Sequence, residues 1–223
     1  MKVDLGTAGT WEPGCFEPGH CPATTTGNMA YMEPPDANLI LDSLRRRVRA
    51  MHSLWEDAVA TMDLAQVNHV ERVGVLPIAF SLFHFTQIED GSATVLGAGD
   101  MVFDARWAER IGLAIADHGK HRTVEEMTGQ RIGNYGAFRQ YMDLVFSKTE
   151  AWLAGLTTAE LADVIVTRPF PPHIASTYSA RVAGAAGIAR LDAAECWIYQ
   201  HGLRHMGEIE HARALVGLQG MTS

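Results

Sequence analysis

His201 and His205 stand four residues apart in the stretch ECWIYQHGLRHMGEIEHARALVGL, residues 195–218. Apolar residues recur there at three and four and no proline interrupts, so the stretch reads as one helix. On a helix of 3.6 residues per turn the two imidazoles leave the same face, about 40° and about one turn apart. That is the spacing a single metal ion needs from two ligands. Glu208 follows three residues later on the same face, and Trp197 precedes His201 by four. His211, six residues past His205, is rotated by about 120° and falls outside the set. An HxxxH pair is common by chance in a chain with ten histidines, and half-buried helix histidines are the plain alternative. Two ligands make an incomplete site, so the reading requires a third elsewhere.

The candidate third ligand is His84. Residues 73–89 form a second helical stretch, apolar nearly all round through Val75, Leu76, Ile78, Phe80, Leu82, Phe83, Phe85 and Ile88. A helix of this kind is buried on most sides. His84 lies in its middle between two phenylalanines, and a histidine so placed needs partners for both ring nitrogens. A core histidine bonded to a carbonyl is one outcome; a metal ligand is the other. Gln87 shares its face and is a candidate for orienting a ligand or touching substrate.

The elements that must position these residues are helical. After Pro34-Pro35 an amphipathic helix runs from 37 to about 63. A further helix is read over 138–156, and a shorter one over 104–116. Thr123 with Glu126 has the shape of a capping box, and Thr157 with Glu160 repeats it. Residues 91–103 read as loop, and 117–122 as a polar turn with His118 and His121 exposed. VIVTRPFPPHIAST, residues 164–177, runs extended, residues 174–184 offer a short helix, and no convincing run of strands is present. Residues 1–36, rich in Gly, Pro and Thr, form a separate irregular extension, with Trp11, Phe16 and Tyr31 as candidate anchors. The expected architecture is all-α: a four-helix bundle over 37–223 with extra helices and loops in its middle. Bundle sites are built from inward side chains on facing helices. One histidine from the second helix and two from the last make a His₃ set, which leaves a coordination position open as catalytic sites do.

Composition narrows the function classes. The formal net charge of −8 argues against nucleic acid as a partner. The basic cluster Arg45, Arg46, Arg47 and Arg49 runs round a helix and reads as a solvated patch. No apolar run approaches a membrane span, and no apolar leader is visible, so cytoplasm is the expected location. Cys15, Cys21 and Cys196 provide no disulfide framework, and a zinc loop at Cys15, His20 and Cys21 has little support from its spacing.

SLFHFTQIED, followed far downstream by QHGLRHMGEIEHARAL, resembles the DinB-like (YfiT-like) superfamily of four-helix-bundle metalloproteins. That family's last-helix pattern is roughly nHgtyHRGQi. His201, His205 and Gly207 match it, while Met206 stands for the usual arginine and Glu208 for the usual glutamine. The likeness covers residues 38–218, with a longer gap than usual between His84 and His201. It implies that His84, His201 and His205 hold a divalent metal, zinc or nickel first and iron as a further option. It also implies an enzyme that activates a low-molecular-weight thiol or water on a small-molecule substrate, as a thiol-linked transferase or isomerase. Glu208 or Gln87 would orient a ligand or handle a proton, although Glu208 could equally pair with Arg204. A metal-dependent hydrolase and a non-catalytic, metal-stapled binding protein are the alternatives. Without any metal, the three histidine rings should lie more than about 6 Å apart. Relatives pair through their bundles, so a homodimer is expected, with residues 1–36 as a candidate exchange arm.

Overall fold

The stripe Leu41, Leu44, Val48, Met51, Trp55, Ala58 and Val59 alternates steps of three and four, and every member is buried. This periodicity makes α1, Ala37–Ala60, an amphipathic helix with one face committed to the core. The computed structural model describes residues 37–220. The extension expected over residues 1–36, with Cys15, His20, Cys21 and its aromatic anchors, lies outside the described residues.

Asp63 caps a single further turn, α2 (Leu64–Val67), through a reciprocal box with Gln66. The next helix, α3, is Ile78–Val95, which corrects the expected span at both ends. Pro77 lacks an N–H and stands just before the helix as its N-cap, so residues 73–76 stay outside. At the other end the helix continues through Gly91 into the expected loop and stops at Leu96, before Gly97 and Gly99 turn the chain at positive φ. Asp90, wholly buried on this added turn, accepts from Val102 N, Phe103 N, Tyr141 Oη and Lys148 Nζ. Those bonds tie the connection back onto the helix.

Helix α4 is Ala105–Ile111 and ends in left-handed Gly112, five residues short of the expected end. The capping box at Thr123 and Glu126 opens α5, Val124–Met127. Helix α6 follows as Tyr135–Gly155, capped by Asn134. Residues 164–167 do pair, contrary to the strand-free expectation: β1 (Val164–Thr167) lies antiparallel to β2 (Gly187–Ala189). Between them stand α7 (Pro172–Ala175) and α8 (Tyr178–Val182). After α9, Arg190–Ala193, the chain passes through a π-helical stretch, Ala194–Tyr199, into α10, Gln200–Leu215. The last helix is therefore not the uninterrupted 3.6-residue spiral read from sequence, and the face shared by Trp197 and His201 is not set by that period. Its widened turn lies immediately before the histidine pair, where π-bulges often serve a site.

The fold is broadly all-α. The four long helices close a ring in which α3 packs on α10 and α6, and α1 packs on α6 and α10. Across the middle, Trp55 of α1 stacks on Phe85 of α3 with ring centroids 4.3 Å apart. Among the described residues, no helix is long and apolar enough to cross a membrane. The basic cluster is not simply solvated. Arg45 donates to the carbonyls of Leu153, Ala154 and Leu156 at the end of α6. Arg47 pairs with Glu195, and Arg49 with Glu56 and Glu150.

One buried polar cluster crosses the ring. His52 of α1, fully buried and stacked 3.9 Å from Phe146, has Nε2 3.0 Å from Glu89 and Nδ1 2.7 Å from Glu150. Carboxylates only accept, so an imidazole held between two of them is doubly protonated. Burial opposes that charge, but the attraction of Glu89 and the bonds to both carboxylates outweigh it and raise the His52 pKa above 6.5. Burial likewise works against the charge of Glu150, yet the bonds from His52 and Arg49 hold its pKa below 4.5. A raised histidine stabilises below its ordinary pKa and loses its effect as pH rises; a lowered carboxylate stabilises above its own and loses it as pH falls. The two windows overlap between 4.5 and 6.5. Thermal melts of wild type and His52→Gln across pH 4–9 should therefore show the widest gap in that interval, narrowing above it.

Candidate metal centre

Helix α3 is apolar on most of its surface because Phe80, Leu82, Phe83 and Phe85 are all buried. His84 is carried inside with them. Phe80 stacks on the His84 ring at 5.3 Å and 20°, and Nδ1 of His84 donates to the carbonyl oxygen of His118. The accepting oxygen can take only a proton donor, so in the neutral ring the lone pair remains on Nε2.

The second element is α10, and Gly202 decides how near it comes. A Cβ at that position would lie 2.1 Å from Met51 Sδ and 2.9 Å from Phe85 Cε2. The missing side chain seats the helix against α1 and α3 and turns His201 and His205 toward His84. Nε2 of His201 and Nε2 of His205 are 3.0 Å apart. Ring centroids are separated by 5.4 Å for His84–His201, 4.9 Å for His84–His205 and 4.5 Å for His201–His205. One nitrogen from each ring falls in a set whose members all lie within 4.8 Å of one another. The separated rings expected of three unrelated histidines are not what the fold builds.

Glu208 belongs to this group. Its Oε2 is 2.6 Å from His205 Nδ1 and accepts from Ser81 Oγ at 3.1 Å. A carboxylate behind an imidazole directs the free lone pair of the opposite nitrogen and makes it more basic. Partial burial opposes the Glu208 charge, but the bonds to His205 and Ser81 prevail and hold its pKa below the usual value. Gln87 is placed differently. Its amide donates to Ala116 O at 3.4 Å, which ties it to the chain entering the 117–122 turn and to none of the three histidines. His211 is exposed.

Burial keeps the trio uncharged. It draws the His84 pKa down to about 4, against the bond to the His118 carbonyl that acts to raise it. His201 falls to about 2, through burial first and then through the like charges of His205, His84, Arg204 and Lys120. Neutral imidazole is the ligating form. With each Nε2 at about 2.05 Å from one ion, the 3.0 Å between His201 and His205 corresponds to a ligand–metal–ligand angle of about 94°. That lies between the right angle of an octahedral site and the wider tetrahedral one. Two of the three rings have their second nitrogen bonded, to Glu208 and to the His118 carbonyl. Nδ1 of His201, buried without a partner, departs from the pattern. The residues present fit a divalent cation.

His118 was expected to be an exposed turn residue. Its ring is half-buried, and its carbonyl is the anchor for His84. Asp-x-Gly at residues 117–119 was the available signal, because an aspartate commonly bonds the amide two residues on and shapes such a turn.

No family profile matches the chain, and no curated protein matches it. Among solved structures, it is similar to a conserved protein from Enterococcus faecalis, at 17% sequence identity and a TM-score of 0.62. The likeness covers 79% of this chain and 96% of that one, and it concerns the fold alone.

Replacing Glu208 by Gln keeps the side chain's shape and removes the charge that orients His205. Affinity for Zn²⁺, measured by chelator competition, should fall about 10–100-fold. Gly202→Ala should destabilise the fold by about 1–3 kcal/mol in urea unfolding, since the added methyl meets buried Met51 and Phe85.

Proposed function

We propose that this protein is a metal-dependent enzyme of the DinB-like kind, holding one divalent ion on His84, His201 and His205. It acts on a small molecule through an activated thiol or water, as a thiol-linked transferase or isomerase. The observation that carries this reading is the convergence of three imidazole nitrogens within 4.8 Å of one another, in surroundings that keep His84 and His201 neutral. Imidazole donors suit zinc and nickel, with iron as a third option. Bound there, the ion would supply Lewis acidity that lowers the pKa of a thiol or water and so yields a nucleophile near neutral pH.

The chain's own residues have the remaining tasks. Glu208 holds the Nδ1 proton of His205 and leaves its Nε2 lone pair facing His201. About half of its carboxylate side chain is exposed, so it is also placed to exchange a proton with a bound group. The His118 carbonyl holds the corresponding proton of His84. Phe80, Phe83 and Phe85 exclude water from behind the ligands. The chain has no suitable thiol of its own: Cys196 is buried, and burial, then Asp192 and Glu195, raise its pKa to about 11. A thiol used here is therefore a small soluble one, and the working unit we propose is a homodimer.

The test begins with metal content. Purified wild type should carry near one equivalent of a divalent metal per chain by mass spectrometry, and His205→Ala should lose it. Equal content in both proteins, or none in either under chelator-free preparation, would overturn the proposal. Assays of the loaded protein with and without a low-molecular-weight thiol then separate the chemistries. Turnover that requires the thiol supports transfer or isomerisation, whereas ester cleavage without it identifies a hydrolase.

A further inference from the structure

The turn 117–122 contributes no side chain to the trio, yet it supplies the one bond that decides which nitrogen of His84 is free. That bond comes from a backbone carbonyl outside any regular element, so something must hold the carbonyl in place. Asp117 does so on one side. Its Oδ1 accepts from Gly119 N at 2.8 Å, and its two oxygens accept from Arg122 Nε at 3.1 Å each and from Nη2 at 2.6 Å. Arg122 N in turn donates to Gly119 O at 2.9 Å, and Lys120 N donates to His118 Nδ1 at 3.1 Å. The carbonyl of His118 therefore sits inside a loop closed at both ends by one forked ion pair.

The same turn is pressed onto α3. Gly119 is buried and has φ of +75°, and a Cβ there would stand 2.6 Å from Phe80 Cε2. Phe80 is the ring that stacks on His84. The turn thus meets the histidine twice, through the carbonyl on Nδ1 and through Phe80 on the ring face. A fork between Asp and Arg is directional where a Lys pair would not be, because two parallel bonds fix the guanidinium plane.

We infer that Asp117 and Arg122 are positioning residues for His84: their fork holds the His118 carbonyl on Nδ1, so that the ring presents Nε2 to the shared space with His201 and His205. Neither residue touches the ion. The inference takes His84 as a ligand from the reading above, but the tautomer it asserts is a property of the metal-free protein. Loss of the fork lets the carbonyl swing away, and the His84 proton then distributes between the two nitrogens. A ring with its proton on Nε2 cannot ligate through that atom until the proton moves.

The experiment is long-range ¹H–¹⁵N NMR of the metal-free protein, wild type beside Asp117→Asn and Arg122→Met, with Arg122→Lys as the milder variant. Wild-type His84 should show the Nδ1–H tautomer alone; Asp117→Asn and Arg122→Met should show a mixture, and Arg122→Lys an intermediate one. Zn²⁺ affinity by chelator competition should follow the same order, falling about tenfold in the first two variants. An unchanged tautomer in folded variants overturns the inference, as does a tautomer change that leaves affinity untouched. If wild type binds no metal, the ligand reading fails by itself, and the tautomer result still decides the role of the fork. Should the first two variants fail to fold, Arg122→Lys carries the test.

Discussion

Three imidazoles share a space in which a positive charge on any one of them would face the others with little water between, and the site depends on that constraint. His84 and His201 are drawn well below the ordinary histidine pKa chiefly by burial. In place of protons, the rings are held by fixed neighbours. The carbonyl of His118 takes one Nδ1 and the carboxylate of Glu208 takes another. Lone pairs that would point in any direction in water are thereby turned toward one another. This arrangement is expensive without a cation, because nitrogens 3.0 Å apart must share a single proton. It becomes favourable once an ion accepts all the lone pairs.

A second buried histidine shows how far environment decides the role of one residue type. His52 lies in the same ring of helices, and Phe85 lies between the two regions, near both Phe146 and His201. At His52 both ring nitrogens meet carboxylates, so the cation is favoured despite burial. At the trio the nearest groups are other imidazoles and, for His201, the cations Arg204 and Lys120. One set stores a proton and stabilises the packing of α1 against α3 and α6. The other excludes protons and leaves donors for a metal. The same principle, that a buried charge needs a compensating one, yields opposite protonation states a few side chains apart.

Backbone devices at three positions make the geometry attainable. Gly202 lets α10 close on Met51 and Phe85. The π-helical turn at Ala194–Tyr199 resets the register ahead of the histidine pair. Gly119, at positive φ, seats the 117–122 turn on Phe80. None of the three contributes a functional group. Each removes an obstacle to an approach that side-chain chemistry alone could not secure.

Much of this was legible in the order of residues. The periods of α1 and α6 and the all-apolar surface around His84 mark the helices, and the four-residue step from His201 to His205 places both imidazoles on one face. These are local properties, carried by 3.6 residues per turn and by the cost of exposing apolar surface. Local pattern could not say where α3 ends, because Asp90 is satisfied by partners up to 58 residues away. Nor could it pair β1 with β2 across a connection that includes two short helices. It offered Gln87 and Glu208 as equal candidates, and only the packing of α10 on α3 put Glu208 behind His205 while Gln87 turned to the loop. The sequence by itself determined which side chains can donate and which faces are buried. The tertiary structure decided which nitrogen of each imidazole is free, since a tautomer depends on where a carbonyl 34 residues distant comes to rest.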